Sequence, residues 1–194
     1  ELHKLGFTTI TRTSENYGLS LILGGAEVTL WDVCSAYLGM AQSVLQANRM
    51  FKNTRLHVDV LDTAERSSAQ NPAAAFLTLQ ALLSAHAYGQ SNSDATFDAQ
   101  IAWKTGTSFG FRDAWAVGVN AKYVVAVWVG NADGEGRPGV IGAEAAAPIM
   151  FEAFSTLNSG SAWFLPPYNF MVEVNTCAQS GFLSSPNCTD AKPI

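Results

Sequence analysis

Charge is scarce in this sequence. Only 14% of its 194 residues are Asp, Glu, Lys or Arg, against about 25% in an average globular domain. The eleven Lys and Arg are scattered and the net charge is −5, with a pI near 5.1. A nucleic-acid binder needs clustered cations to displace phosphate counterions, and that class is excluded. Histidine is equally thin. Neither His3 nor His57 has a Cys, His or Asp neighbour at ligand spacing, so no metal site is expected. Gly134-Glu135-Gly136 lacks the strand-then-helix setting of a dinucleotide loop, and no cofactor is expected either. No apolar run reaches the roughly 18 residues of a membrane-spanning helix. A signal-peptide pattern and an initiating Met are missing too, so the N-terminus is expected to be a cut end. Sparse charge also fits a chain whose outside normally lies within something larger.

What remains is enough for one domain with a buried core and a tail. Glu1 to Phe7 reads as a last helical turn ending at Gly6, and Thr8 to Asn16 as a polar loop. Thr29-Leu30-Trp31-Asp32 has capping-box spacing. Behind it Leu30, Val33, Cys34, Tyr37, Leu38, Ala41, Val44 and Leu45 recur at three and four, which predicts a long amphipathic helix with Cys34 as a buried, inert thiol. Residues 51–60 are expected to be a strand pair or an extended loop, and 62–70 a polar stretch. Asn71-Pro72 is an N-cap and first-turn proline, and Phe76, Leu79, Leu83 and His86 mark the apolar face of a second helix.

From Gln100 the pattern is strand, turn, strand: 100–107, 114–120 and 123–130. Asn120-Ala121-Lys122 is a short connection, so that pairing is expected to be antiparallel. Tyr123 to Val129 is continuously apolar and reads as a central strand covered by helices on both faces. Residues 131–139 read as an exposed loop and 143–157 as a helix packed on the sheet. The fold class is therefore α+β, an antiparallel sheet flanked by helices.

Trp103-Lys104-Thr105-Gly106-Thr107-Ser108 ends the first of these strands. An ammonium and two Thr hydroxyls on a strand edge can hold a carboxylate, and a glycine between them lets a ligand backbone lie close. Lys-Thr-Gly is one of three motifs shared by serine β-lactamases and penicillin-binding proteins. The triplet is followed by Phe109-Gly110-Phe111-Arg112-Asp113-Ala114-Trp115 and Gly118-Val119-Asn120, and preceded far upstream by Leu19-Ser20-Leu21-Ile22-Leu23-Gly24-Gly25-Ala26. Together these resemble the third-motif region of the transpeptidase domain of the bacterial class A penicillin-binding proteins, in particular the 1C group.

The resemblance implies the C-terminal part of the serine β-lactamase/penicillin-binding transpeptidase fold over residues 1–158. It also implies a parent that joins peptidoglycan stem peptides through a serine acyl-enzyme and is acylated by β-lactams. Lys104 would hold the middle-motif serine in a positively charged network. Thr105 and Thr107 would bind the terminal carboxylate, the Thr107 N–H would supply half of the oxyanion hole, and Gly106 would keep the edge clear. Ser108 belongs to the same substrate-binding run, while Arg112 and Asp113 would shape the cleft. The middle motif itself is expected upstream, and Ser14-Glu15-Asn16 is a chance match to it. No Ser in the chain has a Lys three residues on, so the nucleophile and its activating Lys are expected in the upstream half of the parent chain, and these residues alone are expected to be inactive. The parent would be anchored at the periplasmic face of the inner membrane and carry a glycosyltransferase domain. The bare apolar face left by the missing half predicts self-association of the isolated chain. A penicillin-recognising sensor without turnover and a D,D-carboxypeptidase are the alternatives.

Beyond Asn158 the character changes. Ser159-Gly160-Ser161 and Pro166-Pro167 read as a linker, and 159–194 as the start of a C-terminal extension. Cys177 and Cys188 flank ten residues containing Gly181 and Pro186. Since the resemblance implies export, these two are expected to form a disulfide, worth about 3 kcal/mol for so short a loop.

Overall fold

The computed structural model describes residues 1–48, 70–87, 100–157 and 161–193. The expectations for residues 51–60, for 62–69 and for His57 lie outside the described residues, as does the side chain of His86.

Among the described residues, three helices and a three-stranded sheet form the main body. After a short helix α1 (Ser14–Tyr17) and a 3-10 turn (Gly18–Leu23) comes α2 (Leu30–Ala47). Thr29 caps α2 as its spacing predicts, its hydroxyl accepting from the Asp32 N–H at 3.0 Å. Asp32 does more than sit in the first turn. It is buried, and its carboxylate accepts from both the N–H and the hydroxyl of Thr8, at 3.1 and 2.8 Å, which ties the N-terminal loop to α2. The buried face of the helix is rotated from the apolar stripe in its first half. Asp32, Ser35, Ala36 and Gly39 are buried, while Val33, Cys34, Tyr37 and Leu38 are only partly covered and Leu30 is exposed. Small side chains let α2 approach its neighbours closely there, and the larger apolar ones are left at the margin. The inward stripe and the prediction coincide only at Ala41, Val44 and Leu45.

α3 (Pro72–Ala87) starts as expected, with Asn71 Oδ1 accepting from the N–H groups of Ala73 and Ala74 at 2.9 and 3.2 Å. Phe76 and Leu79 point into the core, Leu79 with no exposure at all.

The sheet runs β1 (Ala102–Thr107), β2 (Asp113–Val119), β3 (Val124–Gly130), an antiparallel meander in that spatial order. One face carries Ala102 and Val119 against α2 and α3, with Val44, Phe76 and Leu79 as the core. The other carries Ala114 and Ala116 against α4 (Ala147–Thr156), with Met150 and Phe154. A π-helical turn (Gly142–Ala146) leads into α4. Among the described residues β3 is an edge strand, not the central one its sequence suggested. Helices do cover both of its faces, Val124 packing in the first core and Val125, Val127 and Val129 in the second. The strand buried most completely is β2, because its Ala114, Ala116 and Gly118 leave room for α4. Trp128 on β3 is 37% exposed.

Residues 163–165, beyond α4, pack against the first core. Phe164 is buried there, the Trp163 indole donates to Gln80 Oε1 at 3.0 Å, and Asn48 Nδ2 donates to the Leu165 carbonyl at 2.7 Å. A two-stranded antiparallel ladder follows, β4 (Asn175–Cys177) with β5 (Ala191–Pro193). Apolar side chains also face outward. Leu19, Ile22 and Leu23 on the 3-10 turn are 83–89% exposed. No helix among the described residues is long and apolar enough to cross a membrane.

Candidate active site

The site is built by hydrogen-bond alternation along β1. At the hairpin end the Ser108 N–H donates to the Asp113 carbonyl at 2.9 Å. In an antiparallel pair, bonded and non-bonded positions alternate, so Gly106, opposite Trp115, and Lys104, opposite Val117, aim their backbone groups at β2. Thr105 and Thr107 then aim their N–H and C=O groups the other way, at the open edge. β1 has no second strand neighbour among the described residues.

Side chains alternate independently. Lys104 and Gly106 lie on the α2 and α3 face with Ala102, and Thr105 and Thr107 on the α4 face with Trp103. Lys104 is exposed, and its Nζ donates to the Thr105 carbonyl, the outward-facing one. Among the described residues no carboxylate pairs with it, the sole ion pair within 4.0 Å being Lys4–Glu1. The ammonium therefore stands at the same edge as the outward N–H groups, uncompensated by an acid.

Thr107 is held from behind. Its hydroxyl accepts from the Gly142 N–H at 3.0 Å, which leaves the O–H proton to donate outward. Gly142 has to be a glycine for this contact. A Cβ there would meet the Gly106 carbonyl oxygen at 2.4 Å and the Trp115 carbonyl oxygen at 2.7 Å. No motif in the sequence marks Gly142, because its requirement comes from a strand 35 residues away. At Gly106, by contrast, a Cβ would meet only Trp115, at 3.6 Å from its Cβ, an ordinary contact. Packing does not demand a glycine at that position.

Ser108 closes the hairpin: besides its backbone bond, its Oγ accepts from the Asp113 N–H at 2.8 Å. The Asp113 carboxylate accepts from the Trp128 indole at 2.9 Å, locking the hairpin base across β2 and β3. At the tip Phe111 has φ of 56°, a left-handed conformation strained for a bulky residue, and its carbonyl accepts from the Arg137 N–H at 3.1 Å. The loop at 131–139 thus clasps the tip, and Phe109 stands 99% exposed two residues from Thr107. Ser14-Glu15-Asn16 lies on exposed α1, not in a loop, with the Asn16 amide donating locally to Thr13.

The tail cysteines, for which a disulfide was expected, are present here as thiols. They are nonetheless neighbours. A hydrogen bond from Cys188 is the main influence holding the Cys177 thiol down to about 7, and the same contact pushes Cys188 up. Cys34 is partly covered and burial pushes its thiol up, consistent with an inert group. Among the described residues no group of three His, Cys, Asp or Glu could hold a metal.

No family model matches the chain. It is 37% identical to penicillin-binding protein 1C of Escherichia coli over 144 residues, 74% of this chain and 18% of that protein. It is 27% identical to penicillin-binding protein 1A of Aquifex aeolicus over 190 residues, 90% of this chain and 26% of that protein. The crystal structure of penicillin-binding protein 1A from Haemophilus influenzae superimposes with a TM-score of 0.65 and 21% identity, covering 100% of this chain and 35% of that one. The chain thus spans about a fifth to a quarter of the length of these sequence relatives. The α+β fold and the sequence match agree, and the chain belongs to the class A penicillin-binding proteins.

Proposed function

We propose that this chain supplies the substrate-binding edge and half of the oxyanion hole of a serine D,D-transpeptidase, the rest of the site lying on its parent polypeptide. The observation that carries the reading is the open edge of β1, where the outward N–H of Thr107 and the unpaired ammonium of Lys104 stand together. A stem peptide, or a β-lactam in its place, adds to this edge by backbone hydrogen bonds, with its terminal carboxylate on the hydroxyls of Thr105 and Thr107. The serine oxygen attacks the penultimate carbonyl. Charge develops on the carbonyl oxygen, and the Thr107 N–H donates to it; one such donor is worth about 10²–10³ in rate. Terminal D-Ala then leaves, and an amine of a second stem peptide takes the acyl group. Lys104 orients the middle-motif serine and adds positive potential where the carboxylate binds.

No Ser of these 194 residues has Lys three positions on, so we assign the nucleophile to the parent's upstream half, in the periplasm. Intact-mass spectrometry after exposure to benzylpenicillin tests this. The parent is expected to gain the mass of the antibiotic and the 194-residue chain to gain none. Acylation of the short chain would put a nucleophile within it and overturn these residue roles. An unmodified parent would overturn the enzyme reading.

A further inference from the structure

Outside the β1 edge, the densest chemistry in the described residues is in the tail. Cys177 ends β4, where its N–H donates to the Phe182 carbonyl at 2.8 Å and its carbonyl accepts from the Gly181 N–H at 2.8 Å. Its pairing partner on β5 is Ala191, and the next bond of the ladder, from the Ala178 N–H to the Asp190 carbonyl, is 2.9 Å. Cys188 sits just before β5, its N–H donating to the Ser185 carbonyl at 2.9 Å. The ladder and its flanking turns therefore bring the two cysteines to the same end of the β4–β5 pair. Neither is buried: both line a surface cleft of about 250 Å³ with Gln179, Ser180 and Asn187, room for a small thiol or disulfide to approach.

We infer that Cys177 and Cys188 form a redox-active pair that closes reversibly into a disulfide by exchange with an external disulfide, Cys177 attacking and Cys188 resolving. The order of attack follows the acidities: the neighbouring Cys188 and Ser180 hold the Cys177 thiol down to about 7, whereas the Cys188 thiol is pushed up. In the first step the Cys177 thiolate attacks one sulfur of R–S–S–R, forming a mixed disulfide and releasing RS⁻. In the second, Cys188 loses its proton and attacks the Cys177 sulfur, expelling the second RS⁻. The protein loses two hydrogens, and one external disulfide becomes two thiols. Closure staples β4 to the segment leading into β5, so the ladder is held covalently when oxidised. This pair is independent of the β1 site.

The test uses the reduced full-length protein treated with oxidised glutathione and read by site-resolved peptide mass spectrometry. The wild type is expected to end with a Cys177–Cys188 cross-link, two hydrogens lighter, reopened by dithiothreitol. Cys188→Ser is expected to stop at a glutathione adduct on Cys177. Cys177→Ser is expected to react at Cys188 at least tenfold more slowly. A wild type that shows no cross-link, or a first adduct on Cys188 or Cys34, would overturn the inference. A Cys188→Ser variant that stays unmodified would overturn the order of attack.

Discussion

Gly106 separates the needs of the fold from those of the ligand. A methyl group there would meet Trp115 Cβ at 3.6 Å and Cδ1 at 4.0 Å, both ordinary contacts, and Gly106 is not among the glycines with positive φ. Gly106→Ala therefore removes unfolded-state freedom without native strain and should stabilise by about 0.4–1 kcal/mol. In a domain of this size that is a rise in Tm of roughly 1–4 °C. The ligand experiences the same methyl differently, because the new side chain stands on the Lys104 face of the open edge. Overpacking of about 1–3 kcal/mol converts to a roughly 5- to 150-fold loss of acylation rate. Gly142→Ala is the opposite case. Its Cβ would lie 2.4 and 2.7 Å from two backbone oxygens that cannot swing aside, and the Gly142 N–H to Thr107 bond would open. A loss of about 1–3 kcal/mol should lower Tm by roughly 2–12 °C. Calorimetry on the 194-residue chain and fluorescent-penicillin kinetics on the full-length protein give the two readouts. A Gly106→Ala variant that melts lower, or that acylates like the wild type, would refute the assignment of this glycine to the ligand.

Lys104→Ala should abolish penicillin acylation of the full-length protein while moving stability by no more than about 0.5 kcal/mol, since the side chain is exposed and its hydrogen bond stays within its own strand; unchanged labelling would remove Lys104 from the site. Thr107→Val keeps the backbone N–H but strands the buried Gly142 donor. It should cost about 1–3 kcal/mol by denaturant titration, with a larger effect on KM than on kcat. Asp32→Ala removes the acceptor of both Thr8 bonds and should destabilise by about 1–3 kcal/mol, with faster proteolysis of residues 1–13 as its signature. In the reduced protein, alkylation of Cys177 should be slow below pH 7 and rise as pH passes about 7, where its thiol ionises. Cys188 and Cys34, both pushed up, should follow only at higher pH; the reverse order would contradict the hydrogen-bond assignment.

Much of the meander was legible because local rules agree with one another there. The strands 102–107, 113–119 and 124–130 lie within two residues of the expected ranges, since turn residues bound each apolar run on both sides. The helix starts at Thr29 and Asn71 were legible for the same reason: a capping oxygen needs only donors two or three residues away. What misled was inference from composition to position in the sheet. The apolar run of β3 shows that both faces are covered, and it says nothing about whether a further strand lies alongside. The rotated face of α2 misled similarly, because Ser35 and Gly39 are buried by being small rather than apolar.

By itself the sequence determined the Lys-Thr-Gly-Thr signature, its place at the end of a strand, the family to which it points and the absence of a Ser-x-x-Lys within these residues. These depend on residue identity and on spacing over a few positions, which the chain carries in one dimension. Tertiary structure alone decided that β1 is an edge among the described residues, that alternation from the Ser108 bond turns the Thr107 N–H outward, and that Gly142 supports Thr107 from 35 residues away. Each of those rests on which segments pack together, and packing brings distant residues into contact by filling space, which no local pattern records.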